Sequence, residues 1–331
     1  MPNPYISGTG FYLPPRVVTN DELSTYMDTT DEWIQERTGI KERRYAEKGV
    51  GPSDLAIPAT KQALEAAGLT VGDIDFIIFA TSTPDFYAPG SGCVLQEKMG
   101  FNEIGALDIR VQCSGFIYGL SIAEQYIRTG TFKNILLIGA EVQSTAMNLT
   151  DEGRDTAIIF GDGAGAAIIS ATEENRGILS THMHSEGKYL KELWLEAPAS
   201  NAGHPRITGE VLDEGKQYLK MNGKEVFRHA VTRFPEVINE ALEANNLTSE
   251  NINLLIPHQA NLRITQMVQK RLGLSNDQVF SNIHKYGNTT AATIPIALAE
   301  ALNEGRIKDG DLLVLAAFGA GFTWASAIMK W

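Results

Sequence analysis

The sequence predicts a duplicated α/β protein, in which two similar halves follow one another along the chain. The chain has 331 residues and a hydrophobic content of 43%, enough to bury one large core or two ordinary ones. Continuous apolar runs of strand length alternate with helix-like patterns. Several of these patterns recur in the same order about 178 positions later. A duplicated α/β half is the most economical explanation of that shared order.

In the first half, residues 53–68 have a helical pattern that ends at Gly68, a common residue at helix C-termini. Residues 74–80 and 135–140 are apolar runs typical of strands buried on both faces. Residues 156–170 place Gly-Asp-Gly-Ala-Gly between apolar stretches, which predicts two strands joined by a glycine-rich hairpin turn. This segment lacks the Gly-x-Gly-x-x-Gly spacing of a dinucleotide site, so we interpret it as structural.

The second half repeats the first, with a joint predicted in the polar stretch near 171–180. We therefore expect a first half at 1–172 and a second half at 173–331. A segment at about 181–222 fits neither half and predicts an inserted cap with short helical pieces. The recurring pairs are 75–82 with 253–260, 135–140 with 312–317, and the Gly-Ala-Gly motifs at 163–165 and 319–321.

Composition excludes several classes of function. The formal net charge is −12, which disfavours nucleic acid as a partner because phosphate binding needs a basic surface. The start of the chain lacks the basic and apolar regions of a signal peptide, and no apolar run approaches a membrane span. We therefore expect a soluble cytoplasmic protein. Two cysteines and scattered histidines predict neither a disulfide framework nor a metal site.

Of the two cysteines, Cys113 has the more reactive position. It follows an extended stretch at 105–112 and precedes a helical pattern of apolar residues. The positive end of the helix dipole would then lie beneath its sulfur, lower the pKa of the thiol and favour a nucleophile. The alternative is a buried structural cysteine, which is how we interpret Cys93.

His258 and Asn288 are expected to meet Cys113. His258 ends a buried strand, and Asn288 is the counterpart of Cys113, since each precedes a glycine by 17 residues, Gly305 and Gly130 respectively. Sites in α/β sheets form at strand ends on one side of the sheet. If the halves pack about a pseudo-twofold axis, the three side chains converge.

A thiol, an imidazole and an amide have two common uses. In a Cys-His-Asn hydrolase, the histidine deprotonates the thiol and the amide orients the histidine. In acyl transfer to carbon, the cysteine takes an acyl group while the other two donate hydrogen bonds to a second thioester that loses CO2. The duplicated layout favours the second use.

Six motifs are similar to those of the β-ketoacyl-acyl-carrier-protein synthase III family of thiolase-fold condensing enzymes. The resemblance extends over essentially the whole chain and implies a thiolase-like fold, with two pseudo-equivalent halves in a layered α-β-α-β-α arrangement. The motifs lie at 30–40, 113–116, 160–166, 257–263, 287–292 and 318–324.

The resemblance also implies a role for each matching residue. Cys113 would be acylated by an acyl-CoA, and His258 and Asn288 would assist decarboxylation of malonyl-acyl-carrier protein. The backbone N–H groups of Cys113 and Ala320 would form the oxyanion hole. The relatives are homodimers that need no cofactor besides these substrates, and we expect the same here.

Further residues match binding positions of the family. Trp33, Arg37 and Arg154 correspond to residues that hold the CoA nucleotide, and Asn261 to a pantetheine contact. A basic patch for docking the acidic acyl carrier protein would consist of Arg228, Arg263, Lys270 and Arg271.

Two departures from the family pattern concern the acyl primer. Ala88 stands where some fatty-acid enzymes carry an aromatic residue that lines the acyl pocket from the partner subunit. Residues 110–112 replace a run of small residues before the nucleophile. Primer length therefore stays open. Other functions also remain: a polyketide starter, quinolone or long-chain ketone synthase, an acyltransferase to oxygen, a thioester hydrolase or a non-catalytic subunit.

Overall fold

A computed structural model describes residues 2–331, in which most strands belong to two main sheets. The strands are β1 (Asn3–Tyr12), β2 (Arg16–Thr19), β3 (Glu42–Tyr45), β4 (Phe76–Ala80), β5 (Gly105–Ile109), β6 (Asn134–Val142), β7 (Asp162–Thr172), β8 (Gly177–Ser185), β9 (Leu193–Trp194), β10 (Lys220–Met221), β11 (Leu254–Pro257), β12 (Leu312–Gly319) and β13 (Thr323–Lys330).

The two main sheets have matching strand orders. The first sheet runs β1-β7-β6-β4-β5, and the second runs β8-β13-β12-β11. Each sheet contains a parallel pair, β6 with β4 and β12 with β11. The two pairings that follow it towards β1 and β8 are antiparallel. Where the first sheet adds β5, the second has an isolated parallel bridge between Leu255 and Val279. The predicted duplicated α/β architecture is confirmed. Since the first sheet ends at Thr172, the division of the chain near that residue is a proposal that this order supports.

The helices form layers against both sheets. Two helices of the central layer, α5 and α11, share one buried core with both sheets, while α3 and α4 cover the outside of the first sheet and α8 and α9 that of the second. The helices are α1 (Asn20–Leu23), α2 (Asp31–Thr38), α3 (Pro52–Ala67), α4 (Ser91–Met99), α5 (Gly115–Arg128), α6 (Arg154–Ala157), α7 (Gly209–Asp213), α8 (Gly223–Ala244), α9 (Leu262–Leu272), α10 (Ile283–Tyr286) and α11 (Thr293–Asn303).

The predicted helix at 53–68 is confirmed, because α3 ends at Ala67 and Gly68 adopts the left-handed conformation that closes it. The hairpin predicted at 156–170 is wrong. The short helix α6 occupies its beginning, and β7 then continues without a turn. Its glycines permit close packing instead: a Cβ on Gly165 would lie 2.7 Å from the Pro295 Cβ in α11. Sequence alone does not distinguish such a glycine from a turn residue.

The cap predicted at about 181–222 begins too early. Residues up to Ser185 belong to β8, which pairs with β13 at the edge of the second sheet. The sequence of β8 does not indicate a strand, because several of its side chains are polar and partly exposed. An edge strand with one solvent-exposed face has no continuous apolar run. The irregular segment is 186–222, and it contains α7 and the short β9–β10 ladder. None of the helices in residues 2–331 is long and apolar enough to cross a membrane.

Candidate active site

Cys113 lies between the two sheets, in the turn that leads from β5 into α5. A short 3-10 turn at Gln112–Ser114 separates the strand from the helix, and the predicted strand-to-helix position is confirmed. Gln112, immediately before the cysteine, has a φ of 45°, which costs a non-glycine residue conformational energy. Backbone strain of this kind is concentrated at functional sites, where the surrounding structure holds it in place.

The expected lowering of the Cys113 pKa is wrong for the resting protein. Burial, and after it the nearby negative charge of Glu141, raise the pKa of the thiol to about 12. The backbone N–H groups of Cys113 and Ala320 act in the opposite direction, because they point at the sulfur and favour the thiolate. Desolvation outweighs these donors, since the residue is only 5% exposed. The thiol is therefore neutral in the resting site.

The end of β12 comes very close to the nucleophile. A Cβ on Gly319 would lie 2.6 Å from the Cys113 Cβ and 3.0 Å from its sulfur, so only glycine fits there. This approach brings the N–H of the next residue, Ala320, to the sulfur. Two backbone donors aimed at one point are the arrangement of an oxyanion hole, although their role in this chain is still a prediction.

His258 directly follows β11 and is 2% exposed. Its backbone N–H donates to the Ala316 carbonyl in β12, which fixes the residue at the end of the parallel pair. Its Nε2 has no hydrogen-bond partner within residues 2–331, and the residue lines the same cavity as Cys113. Burial lowers the pKa of the imidazole to about 3, so His258 is neutral at physiological pH.

The other ring nitrogen of His258 contacts Thr293, the first residue of α11. The Nδ1 and Oγ1 atoms are 2.6 Å apart, while the same hydroxyl lies 3.1 Å from the Thr290 carbonyl. The hydroxyl has a single proton, which it gives either to the Thr290 carbonyl or to Nδ1. A neutral imidazole that accepts at Nδ1 carries its proton on Nε2, so the free nitrogen becomes a donor.

Asn288 enters the site from the second half of the chain. Its backbone bonds to the first half, since its N–H donates to the Ile159 carbonyl and its own carbonyl accepts from the Gly161 N–H. Its side-chain Oδ1 accepts from the Thr290 N–H at 2.8 Å. That bond fixes which way the amide faces, and it leaves the NH2 group as the part available to a ligand.

The three side chains open onto one cavity of about 590 Å³, which we call the entrance cavity. Trp33, Arg37, Asn261 and Arg263 line the same cavity. Arg154 does not line the cavity but contacts Trp33, which does. The Arg37 and Arg154 guanidiniums lie 4.4 and 4.8 Å from the Trp33 ring centre. Asn261 also caps α9 and donates to the Arg37 carbonyl at 2.9 Å.

The four predicted docking residues do not form a uniform patch. Arg263 and Lys270 are exposed on α9, but Arg228 is paired with Glu225. Arg271 donates to the Val231 carbonyl at 2.6 Å. Within residues 2–331, Arg228 is therefore the one member of the four whose charge is paired with a carboxylate.

A second cavity, of about 440 Å³, shares Cys113, Phe160 and Leu193 with the entrance cavity, and we call it the inner cavity. Arg110 and Gln112, which replace small residues of the family pattern just before the nucleophile, line this cavity. Ala88 is exposed and does not line it within one chain, whereas its neighbour Tyr87 does. Its other lining side chains mix apolar and polar types and include Leu193, Trp194, Leu219, Ser82, Thr83 and Gln143.

Sequence reasoning missed Thr293 and Glu141. Both are buried polar residues in apolar surroundings, and each contacts partners far away in sequence. A buried polar residue in a strand or helix core is the only signal that points to them. Arg43 was missed as well: it is fully buried, and it donates to the Ile158 carbonyl behind the entrance cavity. Among residues 2–331, no three His, Cys, Asp or Glu side chains are grouped as a metal site requires.

Two family models match the chain. The family described as 3-oxoacyl-(acyl-carrier-protein) synthase III matches residues 107–187, and the family of its C-terminal part matches residues 242–331. These two ranges contain Cys113, His258 and Asn288.

Similar proteins extend the match to the full chain. A β-ketoacyl-(acyl-carrier-protein) synthase III of Caldanaerobacter subterraneus is 48% identical over 326 residues, 98% of this chain and 97% of that protein. The crystal structure of 3-oxoacyl-(acyl-carrier-protein) synthase III from Aquifex aeolicus has a TM-score of 0.90 and 42% identity, and covers 99% of this chain and 100% of its own. A priming β-ketosynthase from a polyketide pathway has a TM-score of 0.91 but only 31% identity, with 99% and 96% covered.

Proposed function

The chain belongs to the 3-oxoacyl-(acyl-carrier-protein) synthase III family, and we propose that it condenses an acyl group held on Cys113 with malonyl-acyl-carrier protein to begin fatty-acid synthesis. The observation that carries this proposal is the meeting of Cys113, His258 and Asn288 at one cavity. The 48% identity to the Caldanaerobacter enzyme, against 31% to the polyketide enzyme, favours this pathway over a secondary-metabolite role.

In the first step, the Cys113 sulfur attacks the carbonyl carbon of an acyl-CoA. The bond between that carbon and the CoA sulfur breaks, and the thiol proton leaves with CoA as its free thiol. The backbone N–H groups of Cys113 and Ala320 hold the oxygen that becomes negative. Because the resting thiol is neutral, the donors stabilise charge only as the reaction creates it.

In the second step, the malonyl thioester loses CO2. The electron pair of the broken bond forms an enolate, whose oxygen accepts hydrogen bonds from His258 Nε2–H and the Asn288 NH2 group. The enolate carbon then bonds to the acyl carbon on Cys113, and the sulfur leaves as a thiolate that takes a proton from water. The products are a β-ketoacyl thioester and CO2. Decarboxylation supplies the carbon nucleophile, so this chemistry calls for no cofactor.

The entrance cavity has the residues to bind CoA and then a carrier-borne pantetheine. Trp33 offers an aromatic face, and Arg37 and Arg154 offer guanidiniums for phosphates. Asn261 lies further in, where a pantetheine amide would pass. Arg263 and Lys270, with Arg228 and Arg271 beside them, are proposed to receive the acidic carrier protein.

The inner cavity is proposed to receive the primer's acyl chain, because Cys113 lines it together with Leu193, Trp194 and Leu219. Its volume of about 440 Å³ lies within the range of small-ligand sites. Because the proposed subunit contact lies beside this cavity, the acyl-CoA that reacts best with Cys113, and not the volume within one chain, identifies the primer.

We also propose a cytoplasmic homodimer. The loop that carries Ala88 exposes Phe86 and Tyr87 beside the inner cavity, and exposed aromatic residues of this kind are typical of subunit contacts. Light scattering tests this, and a monomer would remove any subunit-crossing role for Ala88.

Intact-protein mass spectrometry tests the acyl-enzyme. After incubation with acyl-CoAs of graded length, we expect a mass gain of one acyl group that is absent in Cys113→Ala. The chain length that reacts best identifies the primer. No adduct with any primer, on CoA or on carrier protein, would contradict the role of Cys113.

Asn288→Ala separates condensation from hydrolysis. A condensing enzyme should still acquire the adduct, because acylation does not use the malonyl site, but should form β-ketoacyl product about 100-fold more slowly. Release of free acid from the parent protein, with no malonyl thioester consumed, would instead identify a hydrolase.

A further inference from the structure

A buried carboxylate next to the nucleophile has no part in the reaction as described so far. Glu141 is near the end of β6 and is 0% exposed. Its side-chain and nearby backbone donors are neutral: the Ser82 backbone N–H at 3.1 Å, the Thr81, Ser82 and Thr83 hydroxyls at 3.3, 2.9 and 2.7 Å, and the Gln143 amide at 3.5 Å. No cation within residues 2–331 pairs with it, and burying an unpaired carboxylate is unfavourable, so a neutral side chain would suit a purely structural junction better.

Glu141 joins the two halves of the chain at the active site. The Ser82, Thr83 and Gln143 side chains that it binds form one wall of the inner cavity. From the other half, the backbone N–H of Ala291 also donates to its carboxylate. Ala291 lies in the turn between Asn288 and Thr293, which supply the amide and the hydroxyl of the malonyl site.

The turn that Glu141 binds is strained and closely packed. Thr290 has a φ of 52°, a conformation that a β-branched residue adopts only when other contacts impose it. A Cβ on Gly139, two residues before Glu141, would lie 2.3 Å from the Ala291 carbonyl oxygen, so β6 and the turn are in direct contact. The carboxylate therefore holds a turn that would otherwise relax.

The charge of Glu141 also acts on Cys113. It raises the pKa of the Cys113 thiol, second only to burial in its effect. Burial raises the pKa of Glu141 itself to about 7, while its surrounding donors lower it, so the carboxylate is ionised at about pH 8.

We propose that Glu141 is a positioning residue for the condensation reaction, whose carboxylate holds the turn bearing Asn288 and Thr293 and sets a negative charge behind the wall of the inner cavity that Cys113 also lines. The proposal rests on the proposed function, because the turn matters only if Asn288 and His258 act on a malonyl thioester. It assigns to one buried group the geometry of the second step and part of the electrostatic surroundings of the nucleophile.

Glu141→Gln tests both parts in a Cys93→Ser background, which removes the second thiol. Cys93 is exposed, so its interpretation as a buried structural cysteine is wrong. Iodoacetamide reacts with the thiolate, and each unit by which the pKa falls raises the rate about tenfold. At about pH 8 we expect Cys113 to be alkylated at least about tenfold faster in the variant. We also expect kcat for condensation to fall about 100-fold while the acyl adduct still forms.

Glu124→Gln is the matched control. Glu124 is also buried, but it pairs with Arg128 at 2.9 Å and lies on α5, the helix that follows Cys113. It should alter neither alkylation nor the ratio of condensation to acylation. Equal behaviour of the two variants, or an unchanged alkylation rate in Glu141→Gln, would overturn the proposal.

Glu141→Asp keeps the negative charge and serves if Glu141→Gln does not fold. Its alkylation rate should equal that of the parent, and a rate raised about tenfold would overturn the charge assignment. The alkylation rates need no substrate, so they test Glu141 even if the parent proves unable to condense. That second result would contradict the proposed function instead.

Discussion

His258 has one ring nitrogen engaged and one free, so the residue that contacts Nδ1 decides what Nε2 can do. A Thr293 hydroxyl that donates to Nδ1 places the proton on Nε2, where the enolate needs it. In Thr293→Val, the imidazole loses this donor, and the proton moves to Nδ1 or distributes between the two nitrogens.

We therefore expect Thr293→Val to lower kcat for condensation about 100-fold while Cys113 is still acylated. Steady-state condensation and the mass of the acyl-enzyme are the two measurements. Thr265→Val is the control for the loss of a hydroxyl, because Thr265 is also a buried threonine but lies on a different helix, α9. A variant that condenses like the parent would show that the Thr293 hydroxyl does not determine which ring nitrogen carries the proton.

The residues of the site differ in how far sequence predicts them. Cys113 and Asn288 were predicted because the internal repeat gives them equivalent positions, each before a helix of the central layer. The contacts of Thr293 and Glu141 cross 35 and 58 residues of chain, to His258 and Thr83, and follow from no local pattern. The state of the Cys113 thiol was predicted wrongly because burial and a neighbouring charge depend on the assembled fold.

At the scale of elements, the glycine at the end of β12 determines how closely the second sheet approaches the nucleophile. Gly319→Ala would place a Cβ 2.6 Å from the Cys113 Cβ, and each of these atoms is bonded directly to a backbone Cα, so no side-chain rotation can separate them. We expect little or no acyl adduct on Cys113 and a lower melting temperature, because overpacking costs about 1–3 kcal/mol.

Gly209→Ala provides the comparison for Gly319→Ala. Gly209 begins α7, and nothing lies within 4 Å of the position where its Cβ would be. That variant should acquire the adduct at the parental rate. Normal acylation of Gly319→Ala would mean that β12 can withdraw from the sulfur without loss of the oxyanion site.

Elements were easier to predict where one rule governs them. The central strands are continuous apolar runs because both of their faces are covered by helices. The glycines of β7 permit close contact with α11. Glycine is also common in turns, so the sequence does not distinguish the two uses. One face of the edge strand β8 is exposed to solvent, so its sequence lacks a continuous apolar run, and its second half was assigned to the cap.

At the scale of the whole molecule, buried titratable groups make folding stability depend on pH. His258 has a pKa of about 3 in the folded state, below its usual 6.5, so the unfolded state binds more protons between these values. The contribution of His258 to the free energy of unfolding is therefore fully present above about pH 6.5, and it is lost as the pH falls towards 3. Glu141, raised from 4.5 to about 7, acts in the opposite sense and lowers stability as the pH rises through that range.

His258→Gln isolates the histidine contribution. The free energy of unfolding, measured by urea denaturation from about pH 4 to pH 8, should fall less steeply on the acid side in the variant than in the parent. Glu141→Gln should instead remove part of the decline between about pH 5 and pH 7. Parallel curves for the parent and His258→Gln would mean that the imidazole has the same pKa in the folded protein as in the unfolded chain.

Net charge and local charge oppose each other in this molecule. A chain with a net charge of −12 repels an acidic carrier protein at long range, so an exposed basic group near the entrance cavity has to guide it. Lys270 suits this role, because it lies two turns along α9 from Arg263, which lines that cavity, and it is exposed. We expect Lys270→Glu to lower kcat/KM for malonyl-acyl-carrier protein about tenfold at low salt and to leave malonyl-CoA unaffected.

The effect of Lys270→Glu should shrink as salt is added, because exposed charges are screened within about 10 Å at 0.1 M ionic strength. Lys308→Glu makes the same change of net charge at an exposed site before β12, at the opposite end of that strand from Gly319. It should therefore alter the reaction with the carrier protein much less. Equal losses in the two variants would assign the effect to overall charge, whereas an equal loss with malonyl-CoA would place Lys270 in thioester binding and not in docking.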